Sequence, residues 1–228
     1  LIAGVLGMFL LMGIAIDEDG PVEASPVAPA GLSFDDPADL TVWWGIGALT
    51  TWPVVPLTLA HAAGQLYNMT PPTQGVISLA ILGICERLGL AKLEPDSADH
   101  VHAVVEATKA AFLGIRDPHV TDPSWMKVEP QSLLDDANLS RLAAGIDLKV
   151  ARPWGGKSKP GGTIWMGVID GAGRAASFIQ SIYHEFGSGV VLPMTHVNWQ
   201  NRGCSFALDP AKVNALAPGK KPFHTLNP

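Results

Sequence analysis

Charge is what this chain has least of. Only 16% of its 228 residues are charged, against 47% hydrophobic, and the formal net charge is −6. No run of lysine or arginine offers a surface for a polyanion, which argues against a nucleic-acid partner. Cysteine is nearly absent as well. Cys85 and Cys204 have neither the number nor the spacing of a disulfide framework or a metal site, and both read as free buried thiols. The histidines are scattered as His61, His100, His102, His119, His184, His196 and His224, with no H-E-x-x-H among them. His100 and His102 would point to different faces of one helix. The run Gly155-Gly156-Lys157-Ser158 lacks the earlier glycine and the preceding strand that a phosphate loop needs. No metal and no cofactor are expected, and no internal repeat is apparent.

The opening run, Leu1 to Ile16, is apolar throughout but short for a membrane span of about 20 residues. It also lacks the basic start of a signal peptide. It reads as a buried core segment of a longer protein, so a membrane role is disfavoured and a cytoplasmic location preferred, with a periplasmic or secreted one open. Residues 20–41, rich in Pro, Ala and Asp, read as linker.

What is present centres on Gly161-Gly162-Thr163-Ile164-Trp165-Met166-Gly167-Val168-Ile169-Asp170. A glycine-rich, polar lead is followed at once by a β-prone run that closes on Gly171-Ala172-Gly173. Thr163 therefore heads a strand, directly after a residue without a side chain. An enzyme that cuts its own chain there would expose a hydroxyl nucleophile beside its own α-amine, whose ordinary pKa of roughly 7.7–8.0 suits a base.

Upstream, helical spacing predicts one helix from Thr73, as cap, to about Leu88. A second runs from Ser97 to Asp117-Pro118 with Val101, Val104, Val105, Thr108, Ala111, Phe112 and Ile115 on one face. A third is expected over about Pro130 to Ala144. Strands are expected over 163–170, 175–183 and 195–200, the first two as a hairpin. Helices followed by antiparallel strands indicate an α+β fold.

Residues Thr163 to Phe206 resemble the start of the small subunit of the γ-glutamyltranspeptidase family, which are self-cleaving N-terminal-nucleophile (Ntn) hydrolases. The resemblance rests on Val168-Ile169-Asp170, Gly173-Arg174-Ala175-Ala176-Ser177, Phe186-Gly187-Ser188-Gly189-Val190 and Gln200-Asn201, in that order. Tyr67-Asn68-Met69-Thr70-Pro71-Pro72-Thr73-Gln74-Gly75, Asp122-Pro123-Ser124-Trp125 and Pro218-Gly219-Lys220-Lys221-Pro222 extend it, so that it covers roughly Pro56 to Pro228. It implies an Ntn αββα sandwich, incomplete in this chain. Residues 1–52 stay unassigned, 53–162 correspond to the C-terminal part of a large subunit, and 163–228 to the N-terminal part of a small one.

The resemblance also implies roles. Cleavage falls between Gly162 and Thr163, Thr163 is the nucleophile, and Ser181 stands where a supporting hydroxyl is found. The positions that hold a γ-glutamyl substrate fall on Tyr183, on Ser205 in place of an aspartate, and on His224-Thr225 in place of two serines. Losing a carboxylate at Ser205 removes the partner of a substrate ammonium, a bond worth about 1.5–3 kcal/mol. The wording around Tyr183–Gly189 and Asn198–Gly203 is similar to the oxamate amidohydrolases of the family. The expected partners are a small amide and the remaining segments of the same precursor. A true γ-glutamyltransferase and a catalytically silent fragment stand as alternatives. The family's oxyanion glycines and a substrate arginine would lie outside residues 1–228.

Overall fold

The computed structural model of the chain describes residues 15–17, 57–154 and 163–226. Three strands form an antiparallel sheet: β1 (Ala15–Asp17), β2 (Leu57–His61) and β3 (Gly64–Asn68), in the order β1-β3-β2. A tight turn joins β2 to β3, with Gly64 at φ 123° where a side chain would be strained. Sequence reading missed this sheet, because Tyr67-Asn68 looked like the entry to a helix and is the end of a strand. Ala15 to Asp17 pair with Tyr67 to Gln65, so the end of the apolar opening run is an edge strand. The rest of that run, and Trp43-Trp44, lie outside the described residues.

Helix α1 (Gly75–Arg87) lies at the centre, every residue from Gly75 to Cys85 being buried. It packs on β2 and β3 on one side and is flanked by α2 (Ala98–Ala111) and α3 (Asp136–Ala144). A helix apolar all round belongs in a core. Gln74, not Thr73, is its N-cap residue. The Thr73 hydroxyl instead donates to the Thr70 carbonyl at 2.9 Å, closing the turn before the helix. Gly75 is required there, since a Cβ would sit 2.1 Å from the Met69 carbonyl oxygen.

The buried face of α2 differs from the expected one. Ala103, Ala107, Ala110 and Ala111 face the core, while Val101 and Val105 are 51% and 43% exposed. Small residues let α2 approach α1 closely, and that outweighs the larger valines. Ser97 caps α2 by accepting from the His100 N–H. Past Ala111 the chain does not stop at Asp117-Pro118. A π-type turn (Phe112–Arg116) leads into one further helical turn (Asp117–His119), whose first positions tolerate Pro118. The third expected helix splits, with a 3₁₀ segment (Pro130–Leu134) preceding α3.

Beyond Thr163, β4 (Ile164–Ile169) and β5 (Ala175–Gln180) form the hairpin, Ile164 opposite Gln180 and Ile169 opposite Ala175. The strand expected over 195–200 is not formed. The Phe186–Trp199 loop makes a single bridge, Val191 to Asn198, and folds around left-handed residues at Phe186, Gly187, Gly189 and His196.

The chain from 213 to 226 returns to the helical layer. Asn214 donates to the Val120 carbonyl at 3.0 Å, the Lys221 N–H to the buried Asp122 carboxylate at 2.6 Å, and the His224 N–H to the Pro72 carbonyl at 2.8 Å. Lys220 lies over the Trp125 ring, 5.1 Å from its centroid. Three motifs distant in sequence, around Pro71-Pro72, Asp122-Pro123 and Pro218-Pro222, thereby meet.

Candidate active site

Thr163 stands immediately before β4, and its hydroxyl donates to Ser181 Oγ at 3.0 Å, one residue past the end of β5. The hairpin register creates this contact. With Ile164 opposite Gln180, the residues just outside the pair, Thr163 and Ser181, face each other. Ser181 Oγ also accepts the Tyr183 N–H at 3.0 Å. Both hydroxyls expected at the centre of the site are thus in contact. Gly162 lies outside the described residues.

Tyr183 sits at φ 78°, a left-handed backbone that a bulky residue adopts only under constraint. It is held on three sides: by Ser181, by the His184 ring at 4.5 Å between centroids, and by the guanidinium of Arg202 at 4.4 Å from its ring centroid. Ile182, Tyr183, His184, Glu185 and Phe186 line a cavity of about 310 Å³. The pair His184-Glu185 therefore borders a pocket beside Ser181.

Arg202 is the residue that sequence reading passed over. It lies in a short 3₁₀ turn (Arg202–Ser205) and is 2% exposed. Its backbone N–H bonds the Gln200 side chain, and its Nη1 donates to Thr225 Oγ1 at 2.5 Å. Asn201 anchors the same turn: its N–H donates to the Ile182 carbonyl at 3.3 Å, and its side-chain oxygen accepts the His184 N–H at 3.0 Å. Ser205 donates to the Phe223 carbonyl at 3.2 Å. His224 follows Phe223, and burial, then the Arg202 charge, pushes its imidazole down to about 4, so it is neutral near pH 7. Tyr183, Ser205, His224 and Thr225 are thus gathered around Arg202, and Tyr183 joins this group to Thr163 through Ser181. Arg202 was legible only as one arginine in a turn-like Asn-Arg-Gly run; its burial could not be read from that.

The cysteines take separate places. Cys85 is buried in α1, where burial pushes its thiol up to about 12, while Cys204 is exposed instead of buried. Among the described residues no three His, Cys, Asp or Glu side chains come together in a way that could hold a metal ion. No described helix is long and apolar enough to cross a membrane.

An α+β chain with a hydroxyl pair at the head of a hairpin, preceded in sequence by glycine, has the outline of an Ntn hydrolase. Residues 50–228 match the gamma-glutamyltranspeptidase family, and the chain belongs to that family. It is 60% identical over 173 residues to an oxamate amidohydrolase proenzyme of Klebsiella pneumoniae, covering 76% of this chain and 32% of that protein. A glutathione hydrolase-like proenzyme of Bacillus subtilis is 39% identical over 175 residues, 76% of this chain and 33% of the relative. Among solved structures, a cephalosporin acylase from Bacillus halodurans superposes with a TM-score of 0.61 at 36% identity, covering 76% of this chain and 31% of that one. The chain thus has the fold of the Ntn hydrolases and spans about a third of the length of these relatives.

Proposed function

We propose that the protein is an Ntn amidohydrolase that cleaves itself before Thr163 and hydrolyses a small, oxamate-type amide. The observation that carries the reading is the Thr163 hydroxyl, set 3.0 Å from Ser181 Oγ at the head of β4. Similarity to an oxamate amidohydrolase proenzyme supports it. Because the chain spans about a third of its relatives' length, the activity is proposed for the whole protein.

In the first step Thr163 Oγ1 adds to the Gly162 carbonyl carbon and the Gly162–Thr163 C–N bond breaks. The acyl group moves to oxygen, and water hydrolyses the resulting ester. The liberated α-amine then serves as base. It takes the hydroxyl proton as Oγ1 attacks the substrate amide and passes it to the departing ammonia. Water resolves the acyl-threonine ester, so that a half-amide and water become a dicarboxylate and ammonium. Ser181 holds the hydroxyl in one orientation. Residues 53–162 would then end the large subunit and 163–228 begin the small one.

The surroundings of Ser205 support this substrate class. Ser205 carries no charge and its hydroxyl is committed to the Phe223 carbonyl, so nothing there answers an α-ammonium group. Intact-mass analysis and N-terminal sequencing of the full-length protein should find a new N-terminus at Thr163. Thr163→Ala should abolish cleavage and turnover together. Ammonia release from oxamate should exceed use of γ-glutamyl anilides. Activity in an uncleaved chain, or efficient γ-glutamyl transfer to a dipeptide, overturns the assignment.

A further inference from the structure

Two cations are buried among the described residues, and they are treated differently. Lys109 Nζ is 2.6 Å from a Glu106 carboxylate oxygen and 2.7 Å from the Arg152 carbonyl. Arg202 has no such answer. Its Nη1 meets only the neutral hydroxyl of Thr225, its face lies against Tyr183, and its Nε–H has no partner. None of the ion pairs among the described residues includes it. A guanidinium keeps its charge at any ordinary pH, and buried charges are as a rule paired. A desolvated cation with a buried, unpartnered donor calls for a counter-anion, and Tyr183, which lies over its guanidinium, also lines the cavity beside it.

Its neighbourhood fits that purpose. His224 is neutral near pH 7 and adds no second charge, and Thr225 supplies a hydroxyl beside the fork. Tyr183, strained at φ 78°, connects the group to Ser181 and so to Thr163. Around Ser205 the charge pattern is the inverse of what an ammonium-bearing substrate needs: Ser205 is uncharged, and a cation stands three residues before it.

We infer that Arg202, with Thr225 beside it, binds the carboxylate of the substrate and selects short dicarboxylic half-amides over their neutral counterparts. The inference rests on the reading of Thr163 as the nucleophile. Planar guanidinium and carboxylate groups match in a two-bond geometry that an ammonium cannot reproduce, so lysine at this position retains attraction but loses the fork.

The test uses the full-length, self-cleaved protein with oxamate and its neutral isostere oxamide. Arg202→Gln should lower kcat/KM for oxamate roughly 100-fold, mainly through KM, while oxamide changes by no more than about 3-fold. Arg202→Lys should recover part of the loss. Equal losses on both amides would mean a structural role, and an unchanged oxamate KM would mean the carboxylate sits elsewhere; either overturns the inference. Calorimetric binding of oxalate, which needs no turnover, separates this from the reading of Thr163. A protein that hydrolyses neither amide but binds oxalate in an Arg202-dependent way keeps the anion site and loses the hydrolase. If Arg202→Gln does not fold, Thr225→Val should weaken oxalate binding about 3-fold or more by removing the hydroxyl at Nη1; unchanged binding counts against the site.

Discussion

Residues 57–154 and 163–226 are built on different principles. The first region has a core of its own: Leu66, Val76, Leu79, Ile84, Ala107, Ile115 and Leu139 meet there with essentially no exposure. In the second, only Arg202 and Leu226 are buried among the residues whose side chains are described. Its hairpin leaves Ile164, Met166, Val168, Ile169 and Phe178 each about half or more exposed. β4 is apolar at successive positions, a pattern that belongs to strands covered on both faces. The helical layer is thus held by its own burial, whereas the region with the candidate site is held by strand register and polar anchors to the layer, and it carries a buried charge that no ion pair among the described residues answers. The candidate site lies where packing is least committed.

The largest effect should come from the two buried cations, whose contrast is also the contrast between the regions. Burial works against the Glu106 charge, yet hydrogen bonds from Lys109 and the Arg152 N–H, with the Lys109 charge, hold its carboxyl below the usual range. Lys109→Met strips that carboxylate of its partner and should cost about 3–5 kcal/mol in urea denaturation. Arg202→Gln leaves no orphaned counter-charge and should change stability by about 1 kcal/mol at most. Similar losses for both would erase the distinction, because Arg202 would then be paired as tightly as Lys109 is.

What could be read from the sequence follows the same division. Helices α1, α2 and α3 left periodic apolar patterns, and the hairpin announced itself through β-prone residues and Gly171-Gly173. Thr163 is marked by its place at the head of a strand directly after glycine, Ser181 by resemblance alone, and the register of β4 on β5 sets them in contact. The misses have physical causes. The face of α2 was assigned to its largest apolar residues, whereas close helix packing favours the alanines. β2 and β3 are short and end in a turn that mimics a helix start. Arg202 carries no pattern, since whether an arginine is buried is decided by residues 20 or more positions away, such as Thr225.

A medium effect should come from pH, and it belongs to the second region. In the unfolded chain His224 takes a proton at about pH 6.5, but in the folded protein only near 4. Between those values the unfolded state binds more protons, so stability must fall as pH drops from about 6.5 towards 4 and be flat above. The total loss is at most about 3 kcal/mol. Glu106, depressed below its ordinary value, keeps its contribution above about pH 4.5 and loses it as pH falls from there, so the interval between pH 7 and 5 reports His224 alone. His224→Gln should therefore flatten the urea midpoint between pH 7 and 5. A slope that survives the substitution would place the acid-sensitive group elsewhere.

The smallest effect is the most discriminating, because its sign decides the matter. Val101 and Val105 lie one turn apart on the outer face of α2, with Leu113, 54% exposed, two turns further along the chain. Against solvent a β-branched residue only restricts its own rotamers, and alanine is the better helix former by a few tenths of a kcal/mol. Val101→Ala and Val105→Ala in the intact protein should then each stabilise slightly, in additive steps. If another part of the protein covers this face, each truncation instead removes buried methyl groups and should destabilise by about 1 kcal/mol or more. Urea midpoints of the two single variants and the double variant distinguish these outcomes. Stabilisation shows that the helical layer is finished on this side. Destabilisation shows that α2 continues a core beyond residues 57–154, and that the contrast between the two regions is one of degree.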